Sequence, residues 1–426
     1  MTTLSFENDS LTPPIDPEVD GLLANLFMTE EGRNDPYSIY AKLHQKPPCH
    51  QVSLGMIVLT RFDDCQKLLR DNRFGKDDDT EGRRRERAES LNLSIEELDS
   101  VMKFFERRTT MLFLNPPDHT RLRGLVSRAF TPKTVEKLRP HVERLTDELL
   151  DELSGQIDIM DALAWKLPAT VISEMLGVPL EMRETFRPLV RSATQMLEPT
   201  LTKEEFFTGI AAGKEMTTYL GELVVERRKS LGDDLLSKLI EARDGNDSLT
   251  EEELVSTAFL LYAAGFETTT NLIGNGLFAL LKNPDQLAKL RSDPTLMPGA
   301  VEELLRFDSP VQFDGRSALQ DADVLGYPVK EGQVVFTILG AANHDPAHFS
   351  DPSRLDVTRQ EGPPMSFASG IHYCLGASLA KMEGQVVFQK LLDHFSDIEL
   401  LDDPPKRRMS VTLRGITSLV INGTRA

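Results

Sequence analysis

Cysteine is scarce in this chain: 426 residues hold three, Cys49, Cys65 and Cys374. An odd, sparse set gives no disulfide framework and fits a reducing compartment. It also leaves too few thiolates for a four-cysteine iron–sulfur cluster, so electrons arriving through one must come on another protein. Long apolar runs are missing too, and none reaches the roughly 20 residues that span a bilayer. The opening Met1-Thr-Thr-Leu-Ser-Phe has no basic stretch followed by an apolar one, so it does not read as a signal peptide. Positive charge is short: 48 Lys and Arg against 67 Asp and Glu leave a net −19. Such a surface argues against nucleic acid and anionic membranes as partners. These absences point to a cytoplasmic protein without a membrane anchor.

Against that background one stretch stands out, Phe367-Ala-Ser-Gly370-Ile-His372-Tyr-Cys374-Leu-Gly376, followed by a helical run from Ala377. Glycines at 370 and 376 allow turns closed to other residues and a close pass beneath a flat ligand. The N-terminus of the following helix places partial positive charge near the sulfur and favours thiolate. A thiolate so held is the ligand that promotes O–O cleavage at haem iron. A second unusual stretch lies inside a long helical pattern that starts at a capping box, Thr250 to Glu253, and stops at Asn283-Pro284. Its middle reads Ala264-Gly265-Phe-Glu267-Thr268. The Thr268 hydroxyl can reach the Ala264 carbonyl, and the resulting distortion would open a groove for water or O₂. An acid beside an alcohol is what proton delivery to dioxygen requires.

The spacing Phe-x-x-Gly-x-x-x-Cys-x-Gly resembles the haem-thiolate signature of the cytochrome P450 family, and Ala-Gly-x-Glu-Thr resembles its acid–alcohol pair. The likeness runs from about residue 35 to the end. It departs at Ala368, where many members carry Gly, a mild change. It implies a mainly α fold with small β-sheets, one triangular domain over 35–426 behind an N-terminal arm at 1–34. It further implies haem b under Cys374, O₂ as co-substrate, and NAD(P)H acting only through ferredoxin and ferredoxin reductase. The activity implied is insertion of one oxygen atom into a largely apolar small molecule. Glu267 and Thr268 take the catalytic roles. Phe367, Gly370, His372, Cys374 and Gly376 form the cofactor loop, with Cys374 as the metal ligand. His119, Arg123 and Arg316 join His372 toward the propionates, and Ala264, Val311, Phe313 and Ile416 are expected to line the pocket. Glu303 and Arg306, with Arg354 completing the cluster, look structural.

Other features are read from the residues alone. Residues 1–34 are polar and Pro-rich, which suggests a surface-draped arm. Cys49–Ser53 and Met56–Thr60 suggest a hairpin, as does the stretch Val329–Leu339. Residues 74–115 look irregular, with Arg83–Arg87 pairing the acidic run just before it. From Thr131 to Leu281 the periodicity is helical, broken by Gly and Pro. Gly274-Asn-Gly276-Leu-Phe-Ala279 imitates a dinucleotide fingerprint but follows no strand and is rejected. His344 and His348 are spaced like metal ligands, but Pro346 between them makes them surface residues. Arg121 and Arg128 lie on the face of their helix away from His119 and Arg123, a possible docking face for an acidic ferredoxin. A peroxide-driven peroxygenase, a non-catalytic haem protein and a thiol hydrolase using His372 as base remain as alternatives.

Overall fold

The structure is a computed structural model describing residues 15–53, 56–76, 81–102, 110–245 and 247–426. Its organising element is the helix Glu251–Lys282, 32 residues without a proline. The capping box forms: the Thr250 hydroxyl accepts from the Glu253 N–H, and the Glu253 carboxylate accepts from the Thr250 N–H. At 1.5 Å per residue this rod is roughly 48 Å long. Its buried residues, Leu254, Ala258, Tyr262, Phe266, Ile273, Leu277 and Leu280 among them, sit in the largest apolar core. Helices Lys166–Leu176, Met182–Thr194, Lys203–Lys229, Met297–Phe307 and Ala377–His394 pack around it.

The rejected dinucleotide pattern falls in the middle of this helix, and its glycines have a packing role. A Cβ on Gly276 would lie 2.6 Å from the Phe388 ring, and one on Gly274 2.6 Å from the Met160 sulfur. Missing side chains here let the C-terminal helix and the Met160 segment approach the rod. The rod is also continuous: the expected bond from the Thr268 hydroxyl to the Ala264 carbonyl forms, and the helix runs through it without interruption.

The sheets are small. Five strands lie in the order Cys49–Gln51, Ile57–Leu59, Val334–Ile338, Phe313–Ala318 and Phe74–Gly75. The first two make the expected hairpin. Val329–Leu339 does not: Tyr327–Val329 pairs back to Ala322–Val324, while Val334–Ile338 enters the main sheet. The supposed arm is helical from Pro17, which sits at the first helical position behind an Asp16 cap. Val19, Leu23 and Leu26 of that helix are buried in a core shared with Tyr40 and Ile338. Within 74–115, helices cover Glu81–Ser90 and Ile95–Met102. Arg84 meets Asp99 at 3.8 Å, while residues 77–80 lie outside the described part.

One structural expectation needs correcting. Glu303 accepts two bonds from Arg306, at 2.7 and 2.9 Å, and one from the Asp356 N–H at 2.9 Å. The cation that completes the cluster is Arg359, whose Nε donates at 3.1 Å, and not Arg354. Arg354 is exposed and contributes only its carbonyl, to Arg306 and Arg359. Neither His344 nor His348 is simply on the surface. The first stacks beside Tyr37 at 4.4 Å and the second on Phe62 at 3.7 Å.

Candidate active site

The loop before Ala377–His394 is built to present one sulfur. The Cys374 N–H donates to the Phe367 carbonyl at 3.0 Å, closing the loop on itself. Gly370 has φ +73°, and a Cβ there would sit 2.0 Å from the Leu69 carbonyl oxygen, so the residue must be glycine. Gly376 is different: its φ of −82° is open to any residue, and a Cβ would come no closer than 3.9 Å, to the cysteine sulfur. Ala368 is the strained position, at φ +57° and ψ −156°. That region is almost reserved for glycine and costs about 1–3 kcal/mol, so Ala368 is not the mild change expected.

Cys374 is accessible to solvent although protein crowds it on all other sides. Burial raises its thiol pKa; the N–H groups of Gly376 and Ala377, with Arg123, pull the other way. The helix N-terminus therefore offsets only part of the desolvation; a metal cation at the sulfur would favour the thiolate. Among the described residues no three His, Cys, Asp or Glu side chains converge on a common metal position.

Basic groups collect beside this loop. His119 and His372 have ring centroids 4.3 Å apart. Both His119 ring nitrogens, His372 Nε2 and Arg316 Nη2 are buried and have no hydrogen-bond partner among the described residues. Arg316 does donate to Asp314, at 2.6 Å, and Lys76 also pairs with that carboxylate. Arg123 donates to the Tyr373 carbonyl. Burial, then the neighbouring guanidinium groups, pushes His119 down to about 4 and His372 down to about 3. Buried donors without acceptors are rare and costly. Here they ask for an anion with several oxygens.

On the long helix Ala264 is exposed although it lies near the middle, and Thr268 is half-buried. The Thr268 hydroxyl donates to the Ala264 carbonyl at 2.8 Å. Glu267 is only 6 % exposed, ion-paired with Arg408 and accepting from the Thr194 hydroxyl at 3.1 Å. Haem fits these residues: a solvent-accessible sulfur, buried basic side chains whose free nitrogens could meet its propionates, and an exposed stretch of the long helix.

The comparisons agree. The family model for cytochrome P450 matches residues 17–418. The chain is a cytochrome P450. It is 39% identical to Cytochrome P450 107B1 of Saccharopolyspora erythraea over 95% of this chain and 98% of that protein. It is 40% identical to the 6-deoxyerythronolide B hydroxylase of the same organism, over 91% and 96%. The solved structure of the Bacillus subtilis bacillaene polyketide synthase cytochrome P450 PksS superposes with a TM-score of 0.81 at 36% identity, covering 93% of this chain and 99% of that one. This P450 is a monooxygenase acting on small organic molecules with electrons from a redox partner, and the peroxygenase and non-catalytic readings are not favoured. No helix among the described residues is long and apolar enough to cross a membrane.

Several site expectations shift. Phe313 does not face the P450 site: it is buried against Phe27, with centroids 5.4 Å apart. Ile416 packs against Gly274 in the main core. Val311 is half-buried and bridges Leu413, which leaves it with Ala264 as a pocket candidate. The supposed docking pair is committed elsewhere, Arg121 to Glu253 and Asp247, Arg128 to the Arg243 carbonyl at 2.7 Å. Arg408, Thr194 and Arg359 carried no sequence motif.

The His119 shift has a measurable consequence. A histidine lowered on folding binds fewer protons in the native than in the unfolded state. Its contribution is full above the unfolded value of 6.5 and is lost as pH falls toward about 4. The groups facing it are Arg123, Arg316 and His372, all basic. Between pH 7 and pH 5 the haem-free protein should lose about 2 kcal/mol more stability than its His119→Gln variant. Urea unfolding at the two pH values measures this, and equal losses would refute it. Haem loading should reduce the difference.

Proposed function

We propose that Cys374 is the single protein ligand to the iron of haem b, with His119, Arg123, Arg316 and His372 holding its propionates. When bound, this group supplies reductive activation of O₂; one oxygen leaves as water and the other enters the substrate, with two electrons and two protons consumed. The observation that carries the reading is one exposed sulfur, faced by two peptide N–H groups, beside buried basic side chains that lack acceptors.

The chain's own part is to hold and move protons. Thr268 rests on the Ala264 carbonyl and can turn its hydroxyl to hold a water or oxygen on the pocket side. Glu267 sits next in sequence and reaches outward to Thr194 and Arg408. It is placed to pass protons inward once Arg408 gives way. Electrons come from a separate ferredoxin and its reductase, since three cysteines cannot build an internal cluster. Product formed with peroxide alone, and none with reductase and ferredoxin, would favour a peroxygenase instead.

The substrate we infer is a mid-sized, mostly apolar polyketide-like ring or chain. Two relatives support this by name, the 6-deoxyerythronolide B hydroxylase and the polyketide biosynthesis P450 PksS. Macrolide aglycones should shift the Soret band of the haem-loaded protein on titration, whereas short polar acids should leave it unmoved. The reverse pattern would exclude the inference.

Two variants test the residue roles. Cys374→His should bind haem, if at all, without the long-wavelength band of the reduced carbon monoxide form; retention of that band would sink the assignment. Thr268→Ala should keep haem and NAD(P)H consumption while diverting most of the flow to hydrogen peroxide, since positioned proton transfer is worth about 10²–10⁴-fold. Product per NAD(P)H is the readout, and full coupling in the variant would disprove the role.

A further inference from the structure

Helix Met182–Thr194 and the turn Gln195–Leu197 lead to a short loop before helix Lys203–Lys229. Facing that loop is the turn between strands Lys406–Arg407 and Ile416–Ser418. One carboxylate joins them. Glu198 accepts from the Ser410 hydroxyl at 2.5 Å, the Val411 N–H at 2.8 Å and the Thr412 N–H at 3.2 Å. The Thr412 hydroxyl adds a bond to the Leu197 carbonyl at 3.1 Å. Hydrogen bonds to a charged acceptor are the strong kind, and this one gathers three donors from three consecutive residues.

The same turn carries Arg408. Its guanidinium donates to the Arg191 carbonyl at 3.3 Å, reaches the Thr194 hydroxyl at 3.4 Å, and pairs with Glu267. Burial and the nearby Arg191 lower the Arg408 pKa to about 10, while Glu198 acts in the opposite sense. The turn thus grips the loop after Met182–Thr194 at one end and the acid beside Thr268 at the other. Leu197 and Met409 flank the junction and are both exposed, 37% and 51%. Thr194 and Arg408 at this junction both reach Glu267, next to Thr268, so the junction borders the site.

We propose that Glu198 is a positioning residue that clasps the 195–202 loop to the 408–415 turn, closing the rim at Leu197 and Met409 and fixing Arg408 on Glu267. Access to the site and placement of its acid are then set by one carboxylate. The second half rests on the reading of Glu267 given above; the first half does not. Loss of the Glu198 charge frees both loops together.

The test uses Glu198→Gln in the haem-loaded protein, with Ser410→Ala as a milder second variant. Amide hydrogen exchange across 408–415 should quicken about tenfold in Glu198→Gln, the loss of one charge-assisted bond. Association and dissociation of 4-phenylimidazole, followed by stopped-flow at the Soret band, should both quicken by a similar factor. In turnover the hydrogen peroxide share should rise. In a Glu267→Gln background, adding Glu198→Gln should still speed azole exchange yet leave the peroxide share unchanged. Additive peroxide release would overturn the link to Glu267. Unchanged amide exchange and azole rates would overturn the clasp itself. No product from the unaltered protein would overturn the reading of Glu267, and the first two measurements would still decide the clasp.

Discussion

Buried nitrogens without partners are the constraint on which this structure turns. His119, His372 and Arg316 converge in a desolvated corner where Asp314 is the carboxylate on hand, and Asp314 is already shared by Arg316 and Lys76. Burial holds Asp314 less than the cations do, so its pKa falls well below the usual range. The remaining donors have no acceptor among the described residues. A fold retains such a corner only if something it binds completes it. A flat dianion carrying a metal cation, as haem does, would complete both ends at once. Burial disfavours the thiolate and the imidazolium alike, and one such ligand would reverse both.

The long helix solves another problem. A helix through the centre of a protein would ordinarily be packed on every side. Here Gly274 and Gly276 draw the C-terminal helix and Met160 close to its second half. One turn or more earlier, Ala264 and Thr268 stay open. Tight packing at one end and an open face at the other come from residue size alone. The rod stays rigid while one stretch of it faces the reaction.

What could be read in the sequence divides by range. The cysteine loop and the acid–alcohol pair are local, so their spacing was enough to point to the family. The N-terminal helix was also legible, through Asp16 and Pro17, but its polar composition suggested an arm. Phe313 was misplaced against a rule the strand itself supplies. Alternate residues face opposite sides, so if Arg316 and Asp314 point to the cofactor corner, Phe313 points away. Arg359 and Arg354 are five apart on an irregular segment, and only the tertiary path selects between them. The pairs Glu198–Ser410 and Glu267–Arg408 join residues more than a hundred positions apart, and no spacing rule reaches that far.

Those long-range pairs bear on how the site can work. A carboxylate locked by a guanidinium is a poor proton carrier, because charge and hydrogen bonds both hold it outward. A carboxylate free in water would be worse, since it would exchange protons without direction. Glu267 lies between these limits: its acceptors face Arg408 and Thr194, and both partners sit on segments that end in loops. Arg408 in turn is held by the backbone of the neighbouring helix and by the turn that Glu198 anchors. Burial and Arg191 already make its charged state less favourable. The pair is therefore closer to breaking than a buried ion pair with full hydrogen bonding, such as Glu303 with Arg306 and Arg359. One cluster closes on Glu303 with four hydrogen bonds, and the other holds Glu267 with one guanidinium and one hydroxyl.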